Sequence, residues 1–77
     1  MYESPEFRHL RYFVAVAEEC SFGRDAQRLH ITQPALSVQI KQLEDGLDAP
    51  LFLHTPAGVA LTNAGRTLLP LAKQLLA

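Results

Sequence analysis

The groups in this 77-residue chain that could do chemistry are three histidines, one cysteine, and the polar and cationic residues between Arg24 and Lys41. His9, His30 and His54 stand far apart, with no Cys or carboxylate partner at ligand spacing, and Cys20 is alone. A metal centre needs three or four ligands converging on one point, so no metal and no other cofactor is expected. Ser, His and Asp all occur, but no G-x-S-x-G, P-loop or dinucleotide fingerprint accompanies them, and the chain is not expected to be an enzyme. What remains is recognition. Pro34, Ser37, Val38 and Lys41 have the spacing to share one exposed helical face, and small, polar and cationic groups on such a face suit contact with base edges.

That face exists only if neighbouring elements hold it out. The first helix is expected over about 5–20, with Ser4 as N-cap and Pro5 in the first turn, where a missing N–H costs nothing. Phe7, Leu10, Phe13, Val14 and Ala17 recur at helical spacing and predict its buried face, while Tyr12 and Val16 fall on a different side. A short helix over 24–30 follows, started by the weak cap Gly23, with Ala26 and Leu29 inward and Arg24, Asp25, Gln27 and Arg28 outward. Three residues, His30-Ile31-Thr32, separate it from a helix over 33–46 capped by Thr32. Leu36, Ile40, Leu43 and Leu47 form the apolar stripe of that helix, and Gly46 is placed to take the left-handed conformation that ends it. Rotating the wheel with the stripe inward turns Pro34, Ser37, Val38 and Lys41 outward.

After Pro50 the period changes. Residues 51–54 and 59–61 read as two short strands around Thr55-Pro56-Ala57-Gly58, a small β-hairpin. Thr62 then caps a last helix, in which Pro70 removes one hydrogen bond and argues against a straight rod. Helix, short helix, tight turn, helix, hairpin, helix is the order of a winged helix-turn-helix, mainly α, with a C-terminal linker helix. On composition alone a single lysine on a helix is an ordinary solvated surface. The short turn before it and the hairpin after it favour a nucleic-acid face.

The residues also resemble a known family. Phe7-Arg8-His9-Leu10-Arg11-Tyr12-Phe13-Val14-Ala15-Val16-Ala17-Glu18-Glu19, then Ser21-Phe22, then Ala26-x-Arg28-Leu29-His30-Ile31-Thr32-Gln33-Pro34-Ala35-Leu36-Ser37 is similar to the N-terminal domain of LysR-type transcriptional regulators. Leu51-Phe52 and Leu61-Thr62-x-Ala64-Gly65 continue the match in order and spacing. The resemblance implies a DNA-binding domain over 1–61 and the start of a dimerising linker helix over 62–77, in a bacterial cytoplasmic regulator that sits on the nucleoid when bound. It implies that the helix from Thr32 reads the major groove of double-stranded DNA and that the wing over 52–61 approaches the minor groove. Arg24 and Thr32 would contact the backbone, Gln33, Pro34, Ser37 and Val38 would face bases, and His54 would sit in the wing. A small-molecule effector would bind only through a second domain outside these residues, so the chain is expected to be a truncated regulator or an excised domain.

Three positions depart from the family pattern. Val38 stands where Arg commonly follows the Ser, His54 where Arg usually follows Leu-Phe-x, and Asp48 where Gly is common. Valine cannot grip guanine but can touch a thymine methyl, so Val38 either shifts preference toward thymine or simply weakens binding. A neutral imidazole attracts a narrow minor groove less than a guanidinium, so binding should strengthen as pH falls toward 6.

Composition bounds the partners. The chain is 48% hydrophobic and 19% charged, which excludes a disordered tail, and its longest apolar run, residues 13–17, is too short to cross a bilayer. A single Cys and the lack of a basic-then-apolar N-terminal signal fit an intracellular protein. The formal charge of −1 excludes a generally basic nucleic-acid binder. By segment the charge is −2 over 1–20, +2 over 21–41, −3 over 42–53 and +2 over 54–77, so the positive excess falls on the helix-turn-helix and on the last segment.

The last helix carries two apolar stripes, Leu68, Leu71 and Leu75 with Ala64, and Leu69, Ala72 and Leu76. A domain of this size can cover one of them, for which Tyr12 and Val16 are candidates. The other is expected to form a homodimer seam on a two-fold, pseudo-palindromic site. The competing class is a winged-helix protein-interaction module without DNA binding, which a salt series on duplex DNA would distinguish.

Overall fold

In the computed structural model, which describes residues 3–77, each of four helices opens on a hydroxyl. Ser4 accepts from the Phe7 N–H, Ser21 from Arg24, Thr32 from Ala35 and Thr62 from Gly65. Each cap satisfies one of the donors that a helix start leaves unpaired. The helices are α1 (Pro5–Glu19), α2 (Phe22–Leu29), α3 (Gln33–Leu47) and α4 (Asn63–Leu76), with a hairpin of β1 (Phe52–Thr55) and β2 (Gly58–Leu61) between α3 and α4. This is the mainly α, winged arrangement expected from the order of elements.

Several local expectations change. Ser21, not Gly23, caps α2, so the helix begins at Phe22 and its ring joins the core. Gly46 stays inside α3; Asp48 takes the left-handed turn at φ 54°, and the N–H groups of Asp48 and Ala49 return to the carbonyls of Asp45 and Glu44. Aspartate tolerates this region better than most residues with a Cβ, which explains how the helix ends without glycine there. The strands start at Phe52 and Gly58 rather than at Leu51 and Val59, leaving a two-residue loop, Pro56-Ala57. Their register pairs Phe52 with Leu61 and His54 with Val59. Pro70 lies inside α4 without ending it.

The core is made by Phe13 and Val16 of α1, Phe22 and Ala26 of α2, Leu36 and Ile40 of α3, Leu51, Phe52, and Ala72 of α4. The Phe52 ring stands 5.4 Å from Phe13 and 5.8 Å, edge-on, from Phe22, so the base of the wing is an integral part of the packing. Val16, on a separate side of α1 and a candidate partner for the last helix, is fully buried in the cluster that also holds Ala72 of α4. Phe7, expected inside, is 44% exposed at the start of the helix. The α3 stripe is buried at Leu36 and Ile40 and half-buried at Leu43, but Leu47 lies beyond the cover and is 49% exposed.

Asp25 is the largest departure. It was expected outward on α2, yet its side chain is fully buried and neither carboxylate oxygen has a hydrogen-bond partner. With α2 only two turns long and lying in the angle between α1 and α3, its buried sector is wider than one apolar stripe, and Asp25 falls within it.

Candidate nucleic-acid interface

The exposed face of α3 begins at its cap and runs through Gln33, Pro34, Ser37, Val38 and Lys41, all solvent-accessible. Thr32 is exposed too, with its hydroxyl committed to the Ala35 N–H. Since Leu36 and Ile40 anchor the opposite face, these side chains project from one rigid element. Beside them lies a shallow groove between α3 and the hairpin. Ser21, Phe22, Gly23, Gln33, Ser37, His54 and Thr55 line it, so the structure brings Gln33 and Ser37 of α3 beside His54 of the wing. The His54 ring rests against Phe22, with 5.6 Å between ring centroids, which fixes how the wing presents its imidazole.

The wing is held to α3 by a residue that sequence reasoning missed. Glu44, near the end of α3, accepts the Leu51 N–H at 2.6 Å and the Phe52 N–H at 3.4 Å through one carboxylate oxygen. A second clamp closes on the same segment. The Thr62 hydroxyl donates to the Pro50 carbonyl at 2.6 Å, and the Thr62 N–H donates to the Leu51 carbonyl at 3.0 Å. The tip has its own support: Gly58, at φ 132°, brings the hairpin so close to α1 that a Cβ there would lie 2.7 Å from the Cys20 carbonyl. Val59 donates to that carbonyl at 3.4 Å. The available signal for Glu44 was an acidic residue shortly before a strand whose first N–H groups have no ladder partner.

Charge on this face is rationed by internal pairing. Arg24 projects at the start of α2 and donates to the Glu19 carbonyl at 3.0 Å, while the Glu19 carboxylate bonds Arg28. Lys41 pairs with Asp45 one turn on, at 3.1 Å. These exposed pairs are weak and open to exchange with another anion. Beneath them, burial pushes the Asp25 carboxyl above its usual range, and Glu19 adds to that shift while Arg28 opposes it. Among the described residues, no group of three His, Cys, Asp or Glu is placed to hold a metal ion.

The helix expected to pair with a second copy divides as follows. Ala72 is fully buried in its own domain, so it belongs to the core and not to a seam, and Leu69 packs partly against the same core. Leu68 is also partly covered, Leu76 is half-buried, and Leu71 and Leu75 are 51% and 59% exposed. A salt bridge between Lys73 and Glu18, at 3.3 Å, joins α4 to α1. Among the described residues, no helix is long and apolar enough to cross a membrane.

A wing anchored to a projecting third helix defines a winged helix-turn-helix, and residues 7–66 match the family described as "Bacterial regulatory helix-turn-helix protein, lysR family". The chain belongs to that family and is a transcription-regulator DNA-binding domain, not an enzyme. It is 56% identical over 72 residues to the HTH-type transcriptional regulator TfdT of Cupriavidus pinatubonensis, covering 94% of this chain and 32% of that protein. The chain therefore spans about a third of the length of this curated relative. Among solved structures, the BenM DBD/catB site 1 DNA complex superposes with a TM-score of 0.87 at 46% identity, over 92% of this chain and 80% of that one. The CbnR DBD–DNA complex gives a TM-score of 0.87 at 41% identity, over 92% and 82% of the two chains.

Proposed function

We propose that this chain binds double-stranded DNA sequence-specifically, with α3 in the major groove and the wing over 52–61 beside the adjacent minor groove. Gln33, Pro34, Ser37 and Val38 face base edges, Lys41 and Arg24 meet phosphates, the Thr32 end of α3 lies against the backbone, and His54 points toward the minor groove. The observation that carries this reading is the exposed N-terminal half of α3 with the hairpin fixed beside it by Glu44. A helix held proud of its domain fits a major groove, and a neighbouring β-ribbon then reaches the next groove. That two similar domains were solved as DNA complexes supports it.

Within a longer regulator, the domain acts as a homodimer on a pseudo-palindromic site in the bacterial cytoplasm, with effector sensing in another domain. Leu71 and Leu75, flanked by Leu68 and Leu76, form the seam, because they leave an apolar stripe on α4 that its own domain does not cover. Selection of bound sequences from a random duplex pool, followed by a salt series, tests the reading. A preferred site and a log–log salt slope of about −2 to −4 per domain are expected from so few usable cations. No preferred site and a slope near zero would instead identify a protein-interaction module.

A further inference from the structure

On the α3 reading face the exposed position 38, beside Ser37, carries a side chain that can neither donate nor accept a hydrogen bond. Val38 is 53% exposed there, with Pro34 exposed one turn earlier and Lys41, one turn later, paired with Asp45. An exposed valine on an arbitrary surface means little. This one shares the outward face of α3 with Gln33 and Ser37, which line the groove beside the wing.

We infer that Val38 is a specificity-determining residue that selects thymine by its 5-methyl group at one base pair of each half-site, an inference that rests on the DNA-binding function proposed above. Major-groove edges offer hydrogen-bond donors and acceptors at every base pair, but the thymine methyl is the apolar group among them. Valine opposite a guanine would cover the O6 and N7 acceptors without replacing their water. Opposite thymine it buries methyl against methyl. In a helix the β-branched side chain holds essentially one rotamer, so Val38 presents its methyl groups at a fixed place and loses little freedom on binding. Pro34, equally rigid, extends the apolar strip one turn toward the helix start. The arrangement excludes guanine readout at this point of the face and makes preference there depend on a single carbon.

The test replaces each thymine of the selected duplex in turn by deoxyuridine, which lacks only that methyl, and measures affinity for the 77-residue chain and its Val38→Ala and Val38→Arg variants. Position 38 is exposed, and thermal melts confirm that each variant folds. One thymine per half-site should cost about fourfold in affinity when demethylated, the equivalent of one buried methyl group, and Val38→Ala should lose that sensitivity. Val38→Arg should move preference at the same step toward guanine. The inference is overturned if no thymine is sensitive, if Val38→Ala remains equally sensitive, or if Val38→Arg binds the same sites more tightly with unchanged preference. Those outcomes leave selective DNA binding standing, whereas a parent chain with no preferred duplex overturns both proposals.

Discussion

The carboxylate of Glu44 accepts the backbone N–H of Leu51 at 2.6 Å, and through this bond the end of α3 holds the start of the wing. Leu51 is 1% exposed, so without Glu44 its N–H is buried with no acceptor. Glu44→Ala should destabilise the domain by about 1.5–3 kcal/mol, the range for a hydrogen bond to a charged group. Glu44→Gln, which keeps an acceptor but not the charge, should recover part of that loss. Urea denaturation of the three proteins measures this, and equal midpoints for Glu44→Ala and the parent would show that the bond does not hold the wing.

Asp25 opposes folding. Its buried carboxyl has no hydrogen-bond partner, and burial raises its pKa. An acid that keeps its proton longer in the native state than in the unfolded chain makes stability fall as pH rises between the two pKa values. Below about pH 4 both states are protonated and that penalty is absent. Asp25→Ala should therefore raise stability at pH 7 by about 1–3 kcal/mol and by less at pH 4. Melting curves at the two pH values decide it, and a gain that is larger at pH 4 would count against the assignment.

Two helical glycines should respond in opposite directions to alanine. At Gly46 an added Cβ meets nothing within 4 Å, so Gly46→Ala should stabilise the helix by about 0.5–1 kcal/mol. At Gly65 the same carbon would run into the Leu51 carbonyl oxygen, and α4 would have to move off the wing segment. Gly65→Ala should lower the melting temperature where Gly46→Ala raises it. A Gly65→Ala variant as stable as the parent would mean that α4 and Leu51 are not in contact.

At Asp48 the left-handed turn is made by a residue that carries a Cβ. Asp48→Gly should gain up to about 1 kcal/mol by relieving that conformation, and Asp48→Val should lose stability. Chemical denaturation of both variants tests the pair, since a turn free of strain would leave Asp48→Gly unchanged.

Glu19 occupies the positive charge of α2 through its carboxylate bond to Arg28 and its carbonyl bond from Arg24. Removing the negative charge with Glu19→Gln leaves Arg28 free to meet phosphate. DNA affinity at low salt should rise, and the log–log salt slope should steepen by up to about 1. If affinity falls instead, Glu19 is orienting these arginines for contact and not competing for them.

Much of this fold was legible because its signals are local. Ser4, Thr32 and Thr62 announce helix starts by side-chain chemistry, and Leu36 and Ile40 announce a buried face by spacing. The outward placing of Pro34, Ser37, Val38 and Lys41 followed from the same periodicity. Missed features depend on contacts between distant residues. Whether Asp25 is covered depends on the angle between α1 and α3. Glu44 reads as an ordinary surface acid until the chain returns to bring Leu51 beside it. One start and one end lay two residues from their expected places: Ser21 and not Gly23 caps α2, and the turn that Gly46 signalled is made at Asp48.

The Gly58 contact with Cys20 bears on how such a domain can diverge. The hairpin rests on the corner between α1 and α2 at its tip and on Glu44 and Thr62 at its base, so it cannot swing against α3 without breaking support at both ends. The protein then behaves as a caliper set to one opening. On the function proposed above, exchanging side chains on either jaw, such as Val38 or His54, would change the bases read while the interval between them stays the same. On that proposal a target whose grooves are spaced differently would have to bend to fit, and selection would act on the stiffness of the DNA as well as on its letters.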